Sequence, residues 1–428
     1  MIRRDGAAVV VVGGSIAGLC AAIAARRAGA RVILLDAAPL ALRGGNSRHA
    51  RNLRIMHEAP SPLFPDRYPA ADFLADLMTA AAGAGDPGLM ARLVEDSAVL
   101  PAWLAAQGVR FQTPAQGGIP WSRKTAFFLG GGTAMSHRLH RTAQDLGVRI
   151  HHHATVTALE PGGGIRVSGP EGTVQLTAGA VVVASGGYQA NPAWMAEGWG
   201  ALAGRLVVRG TPYAEGAPLA SLFALGAAAS GRPGSGHLVA VDGRLTAPDG
   251  GIVTRVDGLA LGLVIDRTGQ RLVEEETITG PTRYARWGQL VAACPEALAY
   301  AMWDARAIDR VPLSVCPPQR HDGLESLARA LALPAAALER AMTESGRVRI
   351  PPFFTVPIRP GITFTSHGVQ VEGNGRVLDG TGRPLDGVFA AGMAMAPTVL
   401  GTGYLAGAAL TIAAVFGRRA GEEAARQG

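Results

Sequence analysis

The sequence predicts an α/β fold in which one α/β domain is interrupted by an inserted α+β block. Three observations predict it. The β-branched run 8–12 passes through a Gly-rich turn into an Ala-rich helical pattern and then into a second apolar run, 31–35. A short buried-type strand, 388–392, returns near the C-terminus and ends at a glycine. Between them, from about Pro212 to Pro351-Pro352, the texture changes to helical and irregular segments with Pro-rich borders.

The elements follow in order. Strand 8–12 leads into Gly13-Gly14-Ser15-Ile16-Ala17-Gly18, a helix to about Ala28, and strand 31–35 ending at Asp36. Residues 43–54 are polar and Gly-containing, hence a loop; 72–108 read as helical. A loop at 122–132 opens a helix over 133–147, and 148–160 and 164–176 alternate as strands or hairpins. Residues 181–184 form a strand that stops at Ser185-Gly186-Gly187. In the inserted block one hairpin is expected over 263–273, turning at Thr268-Gly269. A second spans 371–388, with turns at Asn374-Gly375 and Asp379-Gly380, and a closing helix covers 405–423. The expected domains are 1–211 with 351–428, and 212–350 as the insert.

Composition narrows the function. With 48% hydrophobic and 17% charged residues the 428-residue chain is not disordered. Three cysteines, Cys20, Cys294 and Cys316, lack the spacing of a metal site, a disulfide framework or a chain-borne iron–sulfur cluster. The net charge of +7 comes from scattered arginines, and aromatics are 5%, too few for a nucleic-acid stripe. A mild Arg excess suits small anionic substrates. The uncharged stretches 6–25 and 387–417 read as strand–turn–helix and as Gly-rich core rather than membrane spans. No apolar leader with a cleavage site precedes the first strand, so a soluble, cytoplasmic chain is expected.

The turn at 13–18 carries the chemistry. Backbone N–H groups at a helix N-terminus hold a pyrophosphate where no side chain blocks approach, and Gly13, Gly14 and Gly18 keep that approach open. Ser15 stands where a second motif glycine is usual; it is small and its hydroxyl can donate to phosphate. Asp36, at the end of the next strand, is placed to accept from a ribose hydroxyl. The unit is therefore Rossmann-like. A flavin dinucleotide must be held at both ends, and strand 388–392 with its following helix supplies the second end. The helix start at Ala409-Leu410 would favour negative charge on a reduced flavin.

These residues, with Arg43-Gly44-Gly45-Asn46-Ser47-Arg48-His49 and Ala390-Ala391-Gly392, resemble the fumarate reductase/succinate dehydrogenase flavoprotein superfamily, and within it the tricarballylate dehydrogenases most. The likeness runs through RGGNSRHARNLRIMHEAP (43–60), SRKTAFFLGGGTAM (122–135), RGTPYAEG (209–216), GGIVTRVDGLALG (250–262), PTRYARWGQLVA (281–292), PIRPGITFT (357–365) and VLGTGYLAGAALTIAAVFGRRAG (399–421). It implies a FAD-binding domain with a capping domain inserted at 212–350. FAD contacts are expected from Gly13, Gly14, Ser15, Ala17, Gly18 and Asp36. Further contacts fall on Gly44, Gly45, Asn46 and Ser47, on Gly131, Val156 and Gly186, and on Gly392, Met393, Ala409 and Leu410. Respiratory members attach FAD to a His; Asn46 stands at that place, which implies non-covalent FAD. Met393 replaces a Glu usual after the Ala-Ala-Gly strand.

The resemblance also implies the reaction: hydride passes between flavin N5 and one carbon of a C–C bond next to a carboxylate, while a protein group handles the neighbouring proton. Arg283 is the candidate proton shuttle or carboxylate clamp, with Glu275 as its relay, because an Arg alone is a poor acid. Tyr404 is the second catalytic candidate; Gly403-Tyr404-Leu405-Ala406-Gly407 is similar to the segment carrying the acid Tyr of 3-ketosteroid Δ1-dehydrogenases. Arg123, His237 and Arg359 are candidate substrate ligands. A substrate His usual near Phe364 is not carried over, although His367 lies close by. His151-His152-His153 is no metal site, since successive strand residues face opposite ways.

The expected activity is therefore a tricarballylate-like dehydrogenase. The alternatives are a soluble ene-reductase, a ketosteroid-dehydrogenase-like desaturase, a flavin redox-relay subunit without small-molecule chemistry, or a plain NAD dehydrogenase. Electrons must leave through a partner, a quinone or oxygen; the resemblance implies a separate iron–sulfur partner, and no direct membrane span is expected.

Overall fold

The computed structural model describes residues 7–113, 124–280 and 282–428. The chain divides into two compact units. The first comprises Met1–Asn191, Tyr213–Gly236 and Phe364–Gly428; the second comprises Pro192–Pro212 and His237–Thr363. The insert expected at 212–350 therefore differs at both ends: residues 192–211 and 351–363 fall in the second unit, and 213–236 in the first.

The first unit is built on a mostly parallel sheet. Its order is Arg376–Leu378, Pro384–Ala390, Gly172–Val183, β1 (Ala7–Val12), β2 (Val32–Leu35) and Arg149–His151. β1 pairs in parallel with β2 (Val10 opposite Ile33) and with Gly172–Val183 (Val10 opposite Val181). The β-branched runs in β1 and β2 are buried on both faces, as a covered parallel strand requires. Thr155–Glu160 and Gly164–Gly169 add an antiparallel meander onto Gly172–Val183. The expected hairpin after Val371 is present as Arg376–Leu378 against Pro384–Ala390.

α1 (Ile16–Arg27) follows β1 and buries ten residues, among them Ile16, Leu19 and Ile23. Burial of Ile16, Leu19 and Ile23 contributes about 1.5–3 kcal/mol each. The closing helix Ala408–Gln427 lies against α1 at two small-residue contacts. A Cβ on Gly417 would sit 2.4 Å from the Ala17 carbonyl oxygen, and one on Gly421 would sit 2.1 Å from that of Ala21. This helix starts three residues later than expected, because 403–407 form a turn. The helical stretch expected over 72–108 is three helices, Ala70–Ala81, Pro87–Ser97 and Leu100–Ala105.

The second unit holds an antiparallel sheet in which Ala299–Trp303 lies between Leu263–Asp266 and the 353–363 part of the long strand Phe353–Val369. Two buried clusters flank it. Trp287, Trp303, Val264 and Ile358 belong to one; Leu263, Met302, Leu338 and Phe353 belong to the other. Residues 263–273 form the expected hairpin, with Leu272 N–H donating to the Val264 carbonyl.

Candidate functional site

In the first unit, β1 ends in a turn that only glycine allows. Gly13 has φ +108°, and a Cβ there would lie 2.5 Å from the Ala184 carbonyl oxygen. A Cβ on Gly14 would meet Asp36 Oδ2 at 2.3 Å, and one on Gly18 would meet the Gly13 carbonyl oxygen at 1.8 Å. The turn is thus folded tightly over the Asp36 carboxylate. Ser15, the break in the glycine pattern, donates to the Ala184 carbonyl at 3.4 Å, and the Ile16 N–H is taken by Ser47 Oγ at 3.1 Å. That last bond ties the segment 44–47 to the start of α1.

Asp36 is buried. Its Oδ1 accepts from the Ala38 N–H at 3.3 Å, while Oδ2 is buried with no hydrogen bond of good geometry. Burial pushes its carboxyl up from 3.8 to about 6, partly offset by the Ala38 and Gly14 N–H groups. A buried carboxylate oxygen without a donor is costly unless a ligand supplies one. Ser136 Oγ and Ser185 Oγ are likewise buried without partners among the described residues. Ser136 lies under Gly44, whose φ is +103° and whose Cβ would be 2.9 Å from that hydroxyl. Gly132 packs against the Ser47 carbonyl, so Gly131 and the helix Gly131–Asp145 start beside the same segment. These orphaned acceptors and glycine approaches fit a dinucleotide.

The remaining expected cofactor residues take these places. Asn46 lies in the 3-10 turn Gly45–His49, Val156 is buried in Thr155–Glu160, and Gly186 has φ +82° with open space where a Cβ would be. Gly392 follows the returning strand; its Cβ would meet Ala17 Cβ at 2.9 Å and Ala413 Cβ at 3.8 Å. The strand therefore ends where α1 and the closing helix converge. Met393 is half-buried in the turn Gly392–Ala394, and Ala409 and Leu410 begin the closing helix behind its N-cap, Gly407.

Tyr404 is half-buried in the turn before that helix. His367 lies near the Tyr188 hydroxyl (3.4 Å from Nδ1) and stacks on Phe223. Arg123 lies outside the described residues.

The second unit carries the other candidates. Arg283 is exposed at the start of the helix Arg283–Ala293; Nη1 donates to the Gly280 carbonyl at 3.1 Å and Nη2 to the Tyr284 hydroxyl at 2.7 Å. Glu275 is its expected relay, and here the structure corrects the expectation. The Glu275 carboxylate is completely buried; it accepts from Arg271 Nη2 (2.5 Å), Arg271 Nε (3.1 Å) and the Val264 N–H (2.9 Å). Its partner is Arg271, not Arg283, and it serves to anchor the hairpin at 263–273. Arg359 is half-buried, with a long 3.4 Å bond from Nη1 to the Glu296 carbonyl.

His237 is buried, and burial first, then Arg209 and Arg255, hold its imidazole well below the usual range, so it is neutral. Arg255 is not anticipated from the sequence. It pairs with Asp257 at 2.6 Å, its Nε is buried without a partner, and its guanidinium carbon lies 3.7 Å from the Tyr284 ring centroid. Arg283 lies 4.2 Å from the same centroid. Two guanidinium groups on one Tyr ring make this face cationic. Nothing in the spacing of IVTRVDG (252–258) announces it.

Among the described residues no group of three or more His, Cys, Asp or Glu could hold a metal, and no helix is long and apolar enough to cross a membrane. His152 instead meets His140, Nε2 to Nε2 at 3.1 Å, and its Nδ1 lies 3.8 Å from Asp36 Oδ2.

Turn, buried carboxylate and returning strand define a dinucleotide-binding α/β protein of the flavoprotein kind. A model of the FAD binding domain family matches residues 8–410, and the chain belongs to that family; FAD is the cofactor this cradle takes. The chain is 28% identical over 201 residues to the L-aspartate oxidase of Mycobacterium tuberculosis (strain ATCC 25618 / H37Rv), covering 43% of this chain and 36% of that protein. It thus spans little more than a third of that relative's length. It is 26% identical over 456 residues to the probable fumarate reductase Ifc3 of Shewanella frigidimarina (strain NCIMB 400), covering 98% of this chain and 74% of that one. Its fold matches the open conformation of a flavocytochrome c3 fumarate reductase with a TM-score of 0.80 at 23% identity, over 99% of this chain and 78% of that chain.

Proposed function

We propose that the protein is a FAD-dependent oxidoreductase acting on a C–C bond next to a carboxylate, with a tricarballylate-like polycarboxylate as substrate. The observation that carries the reading is the pair Arg283 and Arg255 on Tyr284. Arg283 is exposed, and among the described residues its bonds go to a carbonyl and a hydroxyl, not to a carboxylate. Such a guanidinium is free to take a substrate carboxylate in two parallel hydrogen bonds. Similarity to Ifc3 along 98% of the chain supports the same class.

FAD, when bound, supplies the two-electron acceptor or donor for hydride at N5. The chain's residues do the rest. Arg283 holds a carboxylate and stabilises charge that spreads into it as the neighbouring C–H bond breaks or forms. A proton role for Arg283 would need a relay, and the Glu275 carboxylate is taken by Arg271. The Tyr404 hydroxyl is therefore the proton group of this proposal. FAD is held non-covalently, with Asn46 where a covalent link would need His. Electrons reach the acceptor through a separate iron–sulfur partner.

The test compares Arg283→Met and Tyr404→Phe with the parent protein in anaerobic mixing with tricarballylate. The proposal expects Arg283→Met to raise the half-saturating concentration at least about tenfold, the worth of a charged hydrogen bond. Tyr404→Phe lowers the rate of flavin bleaching by about a hundredfold, the scale of a lost proton group. Parent-like behaviour of both variants would remove these residues from the reaction.

A further inference from the structure

A buried polar network lies in the first unit that none of the assigned roles uses. Arg54, 3% exposed, ends the short strand Asn52–Arg54. Its N–H donates to Thr411 Oγ1 at 2.9 Å, and that hydroxyl donates back to the Arg54 carbonyl at 2.7 Å. Its guanidinium spans three partners: Nε donates to the Ala406 carbonyl (2.9 Å), and Nη1 donates to the Tyr68 hydroxyl (2.9 Å) and to Asp76 Oδ2 (3.1 Å). The same Asp76 oxygen accepts from the Tyr68 hydroxyl at 2.6 Å and from Lys124 Nζ at 2.8 Å. Lys124 also sits 4.6 Å from the Tyr68 ring centroid.

Two features of this network exceed what packing needs. One carboxylate serves two cations, so a positive charge remains uncompensated within the group. Burial works against the Asp76 anion, but hydrogen bonds from Lys124 and Tyr68 hold its carboxyl below the usual range, and burial keeps the Tyr68 phenol neutral. The second feature is what the network grips. Residues 403–407 have no strand or helix of their own. A Cβ on Gly403 would lie 1.8 Å from the Ala80 carbonyl oxygen, and one on Gly407 would lie 2.9 Å from the Arg54 nitrogen. The turn is pressed between the helix Ala70–Ala81, which carries Asp76, and the strand that ends in Arg54. Arg54 binds it at Ala406, two residues after Tyr404, and at Thr411 in the first turn of the closing helix.

We infer that Arg54, braced by Tyr68, Asp76 and Lys124, is a positioning residue that fixes the turn carrying Tyr404 relative to the start of the closing helix. The inference rests on the reading of Tyr404 as the proton group. Lys cannot replace Arg54, because one ammonium cannot reach the Ala406 carbonyl and the Tyr68–Asp76 pair in the fork geometry of a guanidinium.

The test uses the FAD-loaded protein, with bleaching by tricarballylate and reoxidation of the reduced flavin by fumarate as probes. Arg54→Lys loosens the grip on Ala406. Tyr68→Phe fills the same volume and removes only the hydroxyl that bonds both Arg54 and Asp76, leaving their direct contact, which guards against a folding defect. The expected result is a maximal rate lowered at least about tenfold in Arg54→Lys, less in Tyr68→Phe, and a pH profile displaced in both. Flavin content and half-saturating concentration stay within about twofold of the parent. Parent-like maximal rates in both variants, or a loss traced wholly to missing FAD or weaker substrate binding, would overturn the inference. Tyr404→Phe runs alongside. If it abolishes turnover while Arg54→Lys does not lower it, the inference alone fails; if it leaves turnover intact, the reading of Tyr404 fails.

Discussion

Replacing Asp36 by Asn separates two consequences of its burial. In the folded protein without FAD its carboxyl is pushed from 3.8 to about 6. At 1.36 kcal/mol per tenfold change, holding it ionised at pH 8 costs about 3 kcal/mol of stability. The sign follows from linkage. Between about pH 4 and pH 6 the folded chain keeps a proton that the unfolded chain has released, so stability falls as pH rises through that window and stays lower above it. The neutral amide of the Asp36→Asn variant carries no such burden, so the variant apoprotein gains up to about 3 kcal/mol over the parent at pH 8 and little at pH 4. FAD binding changes the other way. On the proposed ribose contact the Asp36 carboxylate accepts from a ribose hydroxyl, and losing such a hydrogen bond to a charged group costs about 1.5–3 kcal/mol, or roughly tenfold to a hundredfold in affinity. Urea unfolding of both apoproteins across that pH range, with fluorescence titration of FAD, reads both effects. Equal FAD affinity in Asp36→Asn would refute the ribose contact. Equal alkaline stability would refute the burial argument.

Three further outcomes are expected. Glu275→Gln leaves Arg271 without its buried partner and lowers stability by about 3 kcal/mol in thermal unfolding, with flavin content unchanged. Gly421→Ala forces a methyl into the Ala21 carbonyl, 2.1 Å away, and destabilises the contact between α1 and the closing helix by about 1–3 kcal/mol. His140 is held down to about 4 by burial and by His152, so the unfolded chain takes up the proton first and stability falls as pH drops from about 6.5 toward 4. Urea midpoints of His140→Asn against the parent check this, the variant showing the flatter profile.

The parts legible in the sequence are those where geometry leaves one residue type. Gly13, Gly14 and Gly18 each face an atom closer than a Cβ permits, so the turn, β1, α1 and Asp36 can be read directly. The sheet of the second unit is hidden. Its long strand Phe353–Val369 contains Pro357, Pro360 and Gly361, residues that ordinarily argue against a central strand. The start of the closing helix escapes the pattern because Leu405 and Ala406 continue the apolar run, while in the fold the helix begins only after its N-cap Gly407, with φ +82°, and the Ala406 carbonyl accepts from Arg54 Nε. The family resemblance assigns Glu275 to Arg283, yet Arg271, four residues before it, takes its carboxylate. Arg54 and Arg255 have no signature. Arg54 finds Ala406 across 352 positions, and only the fold creates such a neighbour.

The central claim is tested most directly by anaerobic titration of the purified yellow protein with tricarballylate, followed in the oxidised flavin band, and of the reduced protein with fumarate. The account predicts that one of the two converts the flavin stoichiometrically, with a C–C double bond made or removed next to a carboxylate. A flavin spectrum unmoved by both acids, while a substrate without a carboxylate converts it, would contradict the account.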